Sequence, residues 1–272
     1  MTTTTTTPAA ASTASAPART TAAGRLAALG RAELTLLLRS RAALFTAMLV
    51  PGITVISGRS MVKGLDLGGT GLSVATVLVP GALAMALFFA VYTNLVGVYV
   101  VRREGLVLKR LRTGEVRDWE ILAGGALPAV LLALLQCALL AVGVAAVLDA
   151  PAPEAPHLIA AGLLIGLALL VAAAAVTAGF TRTAESAQLT FLPFLLLTMV
   201  GSGVFAPREV LPDALADVAA LLPFSPVMDL LRGGWTGALD GSEQVRAVVV
   251  ALVWTGLAVF AVQRWFRWEP RS

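Results

Sequence analysis

The chain reads as an all-α integral membrane protein. Six transmembrane helices are expected, with an N-terminal interfacial amphipathic helix, short re-entrant or interfacial helices between spans five and six, and both termini cytoplasmic. Three observations lead there. Of 272 residues, 58% are apolar and only 13% charged, against about 25% charged in an average soluble protein. A mean hydropathy of +0.86, spread over the whole length, leaves too little polar surface for a soluble domain. Uncharged runs able to cross about 30 Å of hydrocarbon recur six times between charged segments. The composition excludes an ordinary soluble enzyme, a disordered chain and a fibrous repeat.

Residues 1–22 are a low-complexity Thr/Ala/Ser/Pro tail. Such a tail buries too little apolar area to offset the entropy of ordering. Residues 23–272 form the membrane domain. Within Gly24–Arg41, Leu26, Leu29, Leu36 and Leu37 recur at near-helical spacing among Arg25, Arg31, Glu33, Arg39 and Arg41. This pattern suits a helix lying on the inner leaflet with arginines against lipid phosphates, or a helical extension of the first span. The uncharged runs are Ala42–Gly58, Leu67–Val101, Ile121–Leu148, Ala155–Thr181, Ser186–Pro207 and Ala247–Gln263. Trimmed to helix length, they predict spans at about 42–58, 74–101, 121–148, 158–180, 186–206 and 246–264. Pro51 frees a carbonyl and bends the first. With the N-terminus inside, 15 of the 20 Lys and Arg residues face the cytoplasm, as the positive-inside rule demands. The net charge of +4 is thus an orientation signal, and no basic face suited to nucleic acid is visible. Scarce lysine (Lys63 and Lys109) beside abundant Ala, Gly and Arg suggests a GC-rich bacterial genome, hence a bacterial cell membrane.

No catalytic constellation is visible. Between their end residues the spans contain no Asp, Glu, Lys or Arg, which argues against ion-coupled transport. One cysteine, Cys137, and one histidine, His157, permit neither a disulfide nor a multi-histidine metal site. A G-x-x-x-x-G-K-[ST] loop is absent, so the chain has no such cradle for ATP phosphates. Tyr92, Asn94 and Gln136 are polar within the spans; each lines a pathway or hydrogen-bonds between helices, and packing is the plainer role. Gly162 and Gly166 form a GxxxG step that permits close helix contact.

Two connections carry more information. In the inner loop Arg102–Glu120, Leu108 and Leu111 fall at helical spacing while Lys109, Arg110 and Arg112 stay polar. Such a short helix rests on headgroups or docks a cytoplasmic partner. The outer connection Gly201–Gly234 is too apolar for a free loop and too broken for a span. Pro212 suits a first helical position, with Asp213 and Asp217 near the positive helix end. A turn over Pro223–Pro226 and a second short helix ending at Gly233 should follow. Re-entrant backbone of this kind needs cover from protein or water.

Together these connections resemble the membrane subunits of ABC type-2 exporters. That family's inner loop reads like R-E-x-G-T-L-E-R-L-R-x-T-P. Arg103, Glu104, Leu108, Arg110, Leu111 and Arg112 match in register. Gly105 and Thr113 stand one place early, Lys109 replaces an acid, and Glu115 replaces the proline. The outer pattern S-G-V-F-x-P-x-x-x-L-P is met by Ser202, Gly203, Val204, Phe205, Pro207, Leu211 and Pro212. The pattern L-P-x-x-x-x-x-x-x-L-R-G is met by Leu222, Pro223, Leu231, Arg232 and Gly233. Arg31, Glu33, Leu34, Arg39 and Pro51 match the family's opening more loosely.

The resemblance implies a half-size permease that pairs with a second permease subunit, as a homo- or heterodimer, and with two copies of a cytoplasmic ABC ATPase. ATP and Mg would sit on that partner, and this chain would bind no cofactor. Arg103, Glu104 and the loop helix that Glu104 begins, carrying Lys109, Arg110 and Arg112, would couple to the ATPase, together with Glu33. Gly203, Pro207, Pro212, Pro223 and Arg232 would be structural. Apolar spans favour export of a hydrophobic or amphipathic compound, an antibiotic, drug or lipid. A polysaccharide-export permease is the alternative within the family, and a non-transporting structural membrane subunit the alternative outside it.

Overall fold

A computed structural model describes residues 74–114, 116–148, 151–204 and 212–269, with the single residues 21, 24, 31, 35 and 53. The tail, the expected interfacial helix and the first span at 42–58 therefore lie outside the described residues, those single positions apart. Every described element is a helix.

The central helix begins at Val74, as the hydropathy predicts. It runs as α1 (Val74–Leu87), a π-helical stretch Phe88–Thr93 and α2 (Asn94–Glu104). It overruns the expected end at residue 101 because Arg102 and Arg103 suit the negative end of a helix. Glu104 is thus the last residue of the long helix, whereas the sequence reading made it the first of the loop helix. Reversal follows at once: Leu106 adopts a left-handed φ of 57° and α3 (Val107–Arg112) begins behind it.

Helix α4 (Asp118–Leu148) starts three residues before the predicted 121, since Asp118 and Glu120 occupy its first turn. The Glu120 carboxylate accepts a hydrogen bond from Arg117 N at 3.0 Å, satisfying a backbone donor at the helix start. Helix α5 (Pro156–Phe180) opens on a proline, which has no N–H to leave unpaired there. The predicted fifth span is two pieces, α6 (Ala184–Thr190) and α7 (Leu192–Gly201). Pro193 cannot donate a hydrogen bond to Leu189, so the ladder breaks at Phe191.

The outer connection holds two short helices. In α8 (Asp213–Ala220) Pro212 is the cap, not the first helical residue as expected. Helix α9 (Ser225–Thr236) runs past the expected stop at Gly233 and ends at Gly237, whose φ of 68° suits a residue without Cβ. Helix α10 (Gly241–Trp265) begins with a capping box between Asp240 and Glu243, so it starts earlier than 246.

Five described stretches are long and apolar enough to cross a membrane: Val74–Glu104, Asp118–Gly143, Pro156–Phe180, Ala184–Gly201 and Gly241–Trp265. The first is the hub, with 78% of its apolar stretch buried against 11% for the last. Helix α4 packs on α1, while α5 packs on α2, α9 and α10. In lipid, helix association relies on close van der Waals packing and small residues. The GxxxG step does this here. A Cβ on Gly166 would stand 2.9 Å from Val227 Cγ1, and one on Gly162 would stand 3.1 Å from Leu230 Cβ. These glycines seat α9, a helix too short to span, in the cover of protein that its ends require.

Candidate functional site

The connections between spans sort to two ends of the bundle. One end gathers the charged loop, the α5–α6 turn and the segment after α10. At its centre is Arg103, only 1% exposed. Its guanidinium donates to Ala178 O at 2.7 Å, to Thr181 O, and more weakly to Arg182 O at 3.3 Å. These carbonyls end α5 and begin the turn after it, and the last carbonyls of a helix have no partner within it. A planar, permanently charged fork meets that need and complements the negative helix end. Arg103 therefore ties α2 to α5. Its burial makes it a tie between helices within this chain.

Glu104, next in sequence, is exposed, and its carboxylate accepts from Ala184 N at 3.3 Å, the first residue of α6. Leu108 is buried at 1% while Lys109, Arg110 and Arg112 are exposed on the other face of α3. Helix α3 is thus an amphipathic bar pressed on the bundle, presenting cations outward. Lys109 Nζ pairs with Glu269 at 2.8 Å, and Arg112 Nε with Asp118 Oδ1 at 3.1 Å. The hydrogen bond and charge of Lys109 hold the Glu269 carboxyl below its usual range. The Arg112 guanidinium also lies 5.1 Å from the centre of the Trp268 ring, a cation–π contact. Trp268 stands edge-on to Phe266 at 5.0 Å.

This fold-back of Phe266–Glu269 onto α3 has no counterpart in the sequence reading. The signal for it was the alternation of aromatic and basic residues in Arg264–Trp268, the pattern of a membrane–water boundary. Glu33 lies outside the described residues.

Within the spans the three polar candidates part company. Tyr92 is buried, and its hydroxyl lies 3.0 Å from Thr177 Oγ1 on α5. Its ring joins an aromatic cluster with Phe88, Phe194 and Phe224, at centroid separations of 4.7–6.3 Å between contacting rings. The π-helical stretch adds one residue to the turn and aims this ring inward. Gln136 is 1% exposed inside the bundle. Asn94 alone of the three is exposed; its amide reaches back to Ala90 O at 3.4 Å.

The opposite end carries the second motif. Gly203 takes a left-handed φ of 73°, which favours glycine. Its carbonyl accepts from Arg232 Nη2 at 2.7 Å, with Arg232 8% exposed. Arg232 thus straps α9 to the connection leaving α7. Pro223 lies in the turn between α8 and α9, Pro212 caps α8, and Pro207 lies outside the described residues. The two ends share one device: a buried arginine on one helix satisfying backbone carbonyls of another segment.

A family model described as ABC-2 type transporter matches residues 25–235. That range contains both connections and both buried arginines. A search of curated proteins found no match. The match covers most of the 272 residues, and with a bundle of membrane-length helices around it the conclusion is plain: the chain belongs to the ABC-2 type transporter family and is the permease component of an ABC transporter.

Proposed function

We propose that this permease is half of an ATP-driven exporter for a hydrophobic or amphipathic compound, an antibiotic, drug or lipid. Two such subunits form the pathway, and two copies of a separate cytoplasmic ABC ATPase supply the energy. The charged end faces the cytoplasm of a bacterial plasma membrane, with both termini there, in keeping with the distribution of Lys and Arg. The observation that carries the reading is the mounting of α3. Its cations face outward, Leu108 seats it, and the residues just before it lock onto α5 through Arg103 and α6 through Glu104. A push on α3 from a closing ATPase is therefore passed to two neighbouring helices as a rigid-body shift. Spans that keep their Asp, Glu, Lys and Arg residues to the ends suit a lipophilic cargo better than a naked ion.

The test is reconstitution of the permease with its ATPase in liposomes. Substrate-stimulated ATP hydrolysis is expected. Reversing charge at two exposed positions, E104K with R110E, should remove the stimulation while leaving the permease folded. Unchanged stimulation excludes α3 as the coupling element.

A further inference from the structure

Two cavities meet at Trp268. One is a cleft of about 610 Å³ at the charged end, lined by Lys109, Arg112, Thr113, Arg267, Trp268 and Glu269. The other is a groove of about 500 Å³ along α4, α5 and α10, whose walls include Ala126, Leu167, Val171, Ala172 and Val262, with Trp268 at its charged end. Apart from Asp118 and Gln263, the groove is walled by apolar and tryptophan side chains.

We infer that the pair forms a binding site for an anionic phospholipid of the leaflet at this end. The phosphate sits among Lys109, Arg112 and Arg267, and an acyl chain lies in the groove. Depth supports this. The α4 wall runs from Asp118 to Val130, about 18 Å at the helical rise, close to the roughly 15 Å of one leaflet's hydrocarbon. Half-exposed Trp119 and Trp265, at 52% and 55%, mark the membrane boundary at this same end.

Charge points the same way. Three cations and one carboxylate line the cleft, and with Asp118 on Arg112 the balance stays positive. Lys109 and Glu269 are more than half exposed, and exposed pairs of this kind exchange readily. A lipid phosphate therefore competes with Glu269 for Lys109, so Glu269 is a built-in rival to the ligand. A soluble anion leaves the groove empty, and a zwitterionic headgroup brings an ammonium that the cations repel. The site does not depend on which compound is exported.

The full-length protein in detergent tests it, using phosphatidylglycerol with brominated acyl chains. Lipid retained per subunit is read by native mass spectrometry. Quenching of Trp268 is read as the fluorescence difference between the protein and W268F. Phosphatidylglycerol should be retained severalfold over phosphatidylcholine and should quench Trp268. K109A with R267A should cut retention roughly tenfold or more, as expected for two cations near a membrane surface. E269Q should raise it, a gain that misfolding cannot produce, and A172F should abolish the quenching by filling the groove. Equal retention of the two lipids, or no gain in E269Q, overturns the inference. So does displacement of the lipid by glycerophosphate, which would reveal a plain anion site. Absence of quenching overturns it too, since the groove would then be filled by another part of the chain or a second copy.

Discussion

Replacing Arg103 by alanine separates a structural strap from a docking contact. The side chain makes two short hydrogen bonds and one longer one to carbonyls at the end of α5. Hydrogen bonds involving a charged group contribute about 1.5–3 kcal/mol each. Alanine also leaves carbonyls without this donor, and a buried polar group left unsatisfied costs about 1–3 kcal/mol. A loss of about 4 kcal/mol is therefore expected, which lowers Tm by about 10 °C at roughly 2–4 °C per kcal/mol. The damage should be local at first. Trypsin should cut after Arg182 sooner in R103A than in the parent protein, because the turn after α5 loses its anchor. Arg103→Lys keeps the charge without the fork and should recover only part of the loss. If R103A keeps its Tm and its resistance at Arg182 yet loses stimulation of the ATPase, Arg103 acts through contact with the partner, and the strap assignment is wrong.

Other perturbations test separate parts of the account. Leu106→Gly should stabilise by about 1 kcal/mol in a denaturation series, since a left-handed residue with a Cβ carries strain of that order; a loss would show that its side chain matters more than its backbone. Gly166→Val should destabilise by about 1–3 kcal/mol through overpacking against Val227, and Gly143→Val, where no atom lies within 4 Å, serves as the control. Tyr92→Phe should cost about 1 kcal/mol, the worth of one hydrogen bond between neutral groups, read from Tm with transport intact. The Glu269–Lys109 contact should depend on pH. Because the folded state holds this carboxyl below its usual range, the contact is complete above about pH 4.3, the ordinary glutamate value. It is lost as pH falls through the lower folded value. Trp268 fluorescence should follow that loss and stay flat in E269Q.

What was legible in advance follows from how each signal arises. Hydropathy located all five described spans because a membrane imposes one requirement on every residue of a crossing. Helix ends were less legible, since they turn on single capping contacts. Asp240 with Glu243 starts α10 before the apolar run, and Glu120 does the same for α4. The roles of the two buried arginines were hidden because a motif records that Arg103 and Arg232 are required but not what they touch. Both touch backbone carbonyls distant in sequence, which no local pattern encodes. The displaced glycine of the inner loop was visible as Gly105. Its consequence, a left-handed Leu106 in the position where the resembled family places glycine, emerged only from the backbone. The fold-back of Trp268 is not legible in the sequence because it joins residue 268 to a loop more than 150 positions earlier in the chain.

Site-specific photo-crosslinking tests the central claim most directly. A photoreactive residue placed at position 110 of the intact permease, in its native membrane, should capture an ABC ATPase, while the same probe at position 217 in α8 should not. Capture from position 217 and not from 110, or no nucleotide hydrolase from either, would contradict the assignment of the charged end as the seat of coupling.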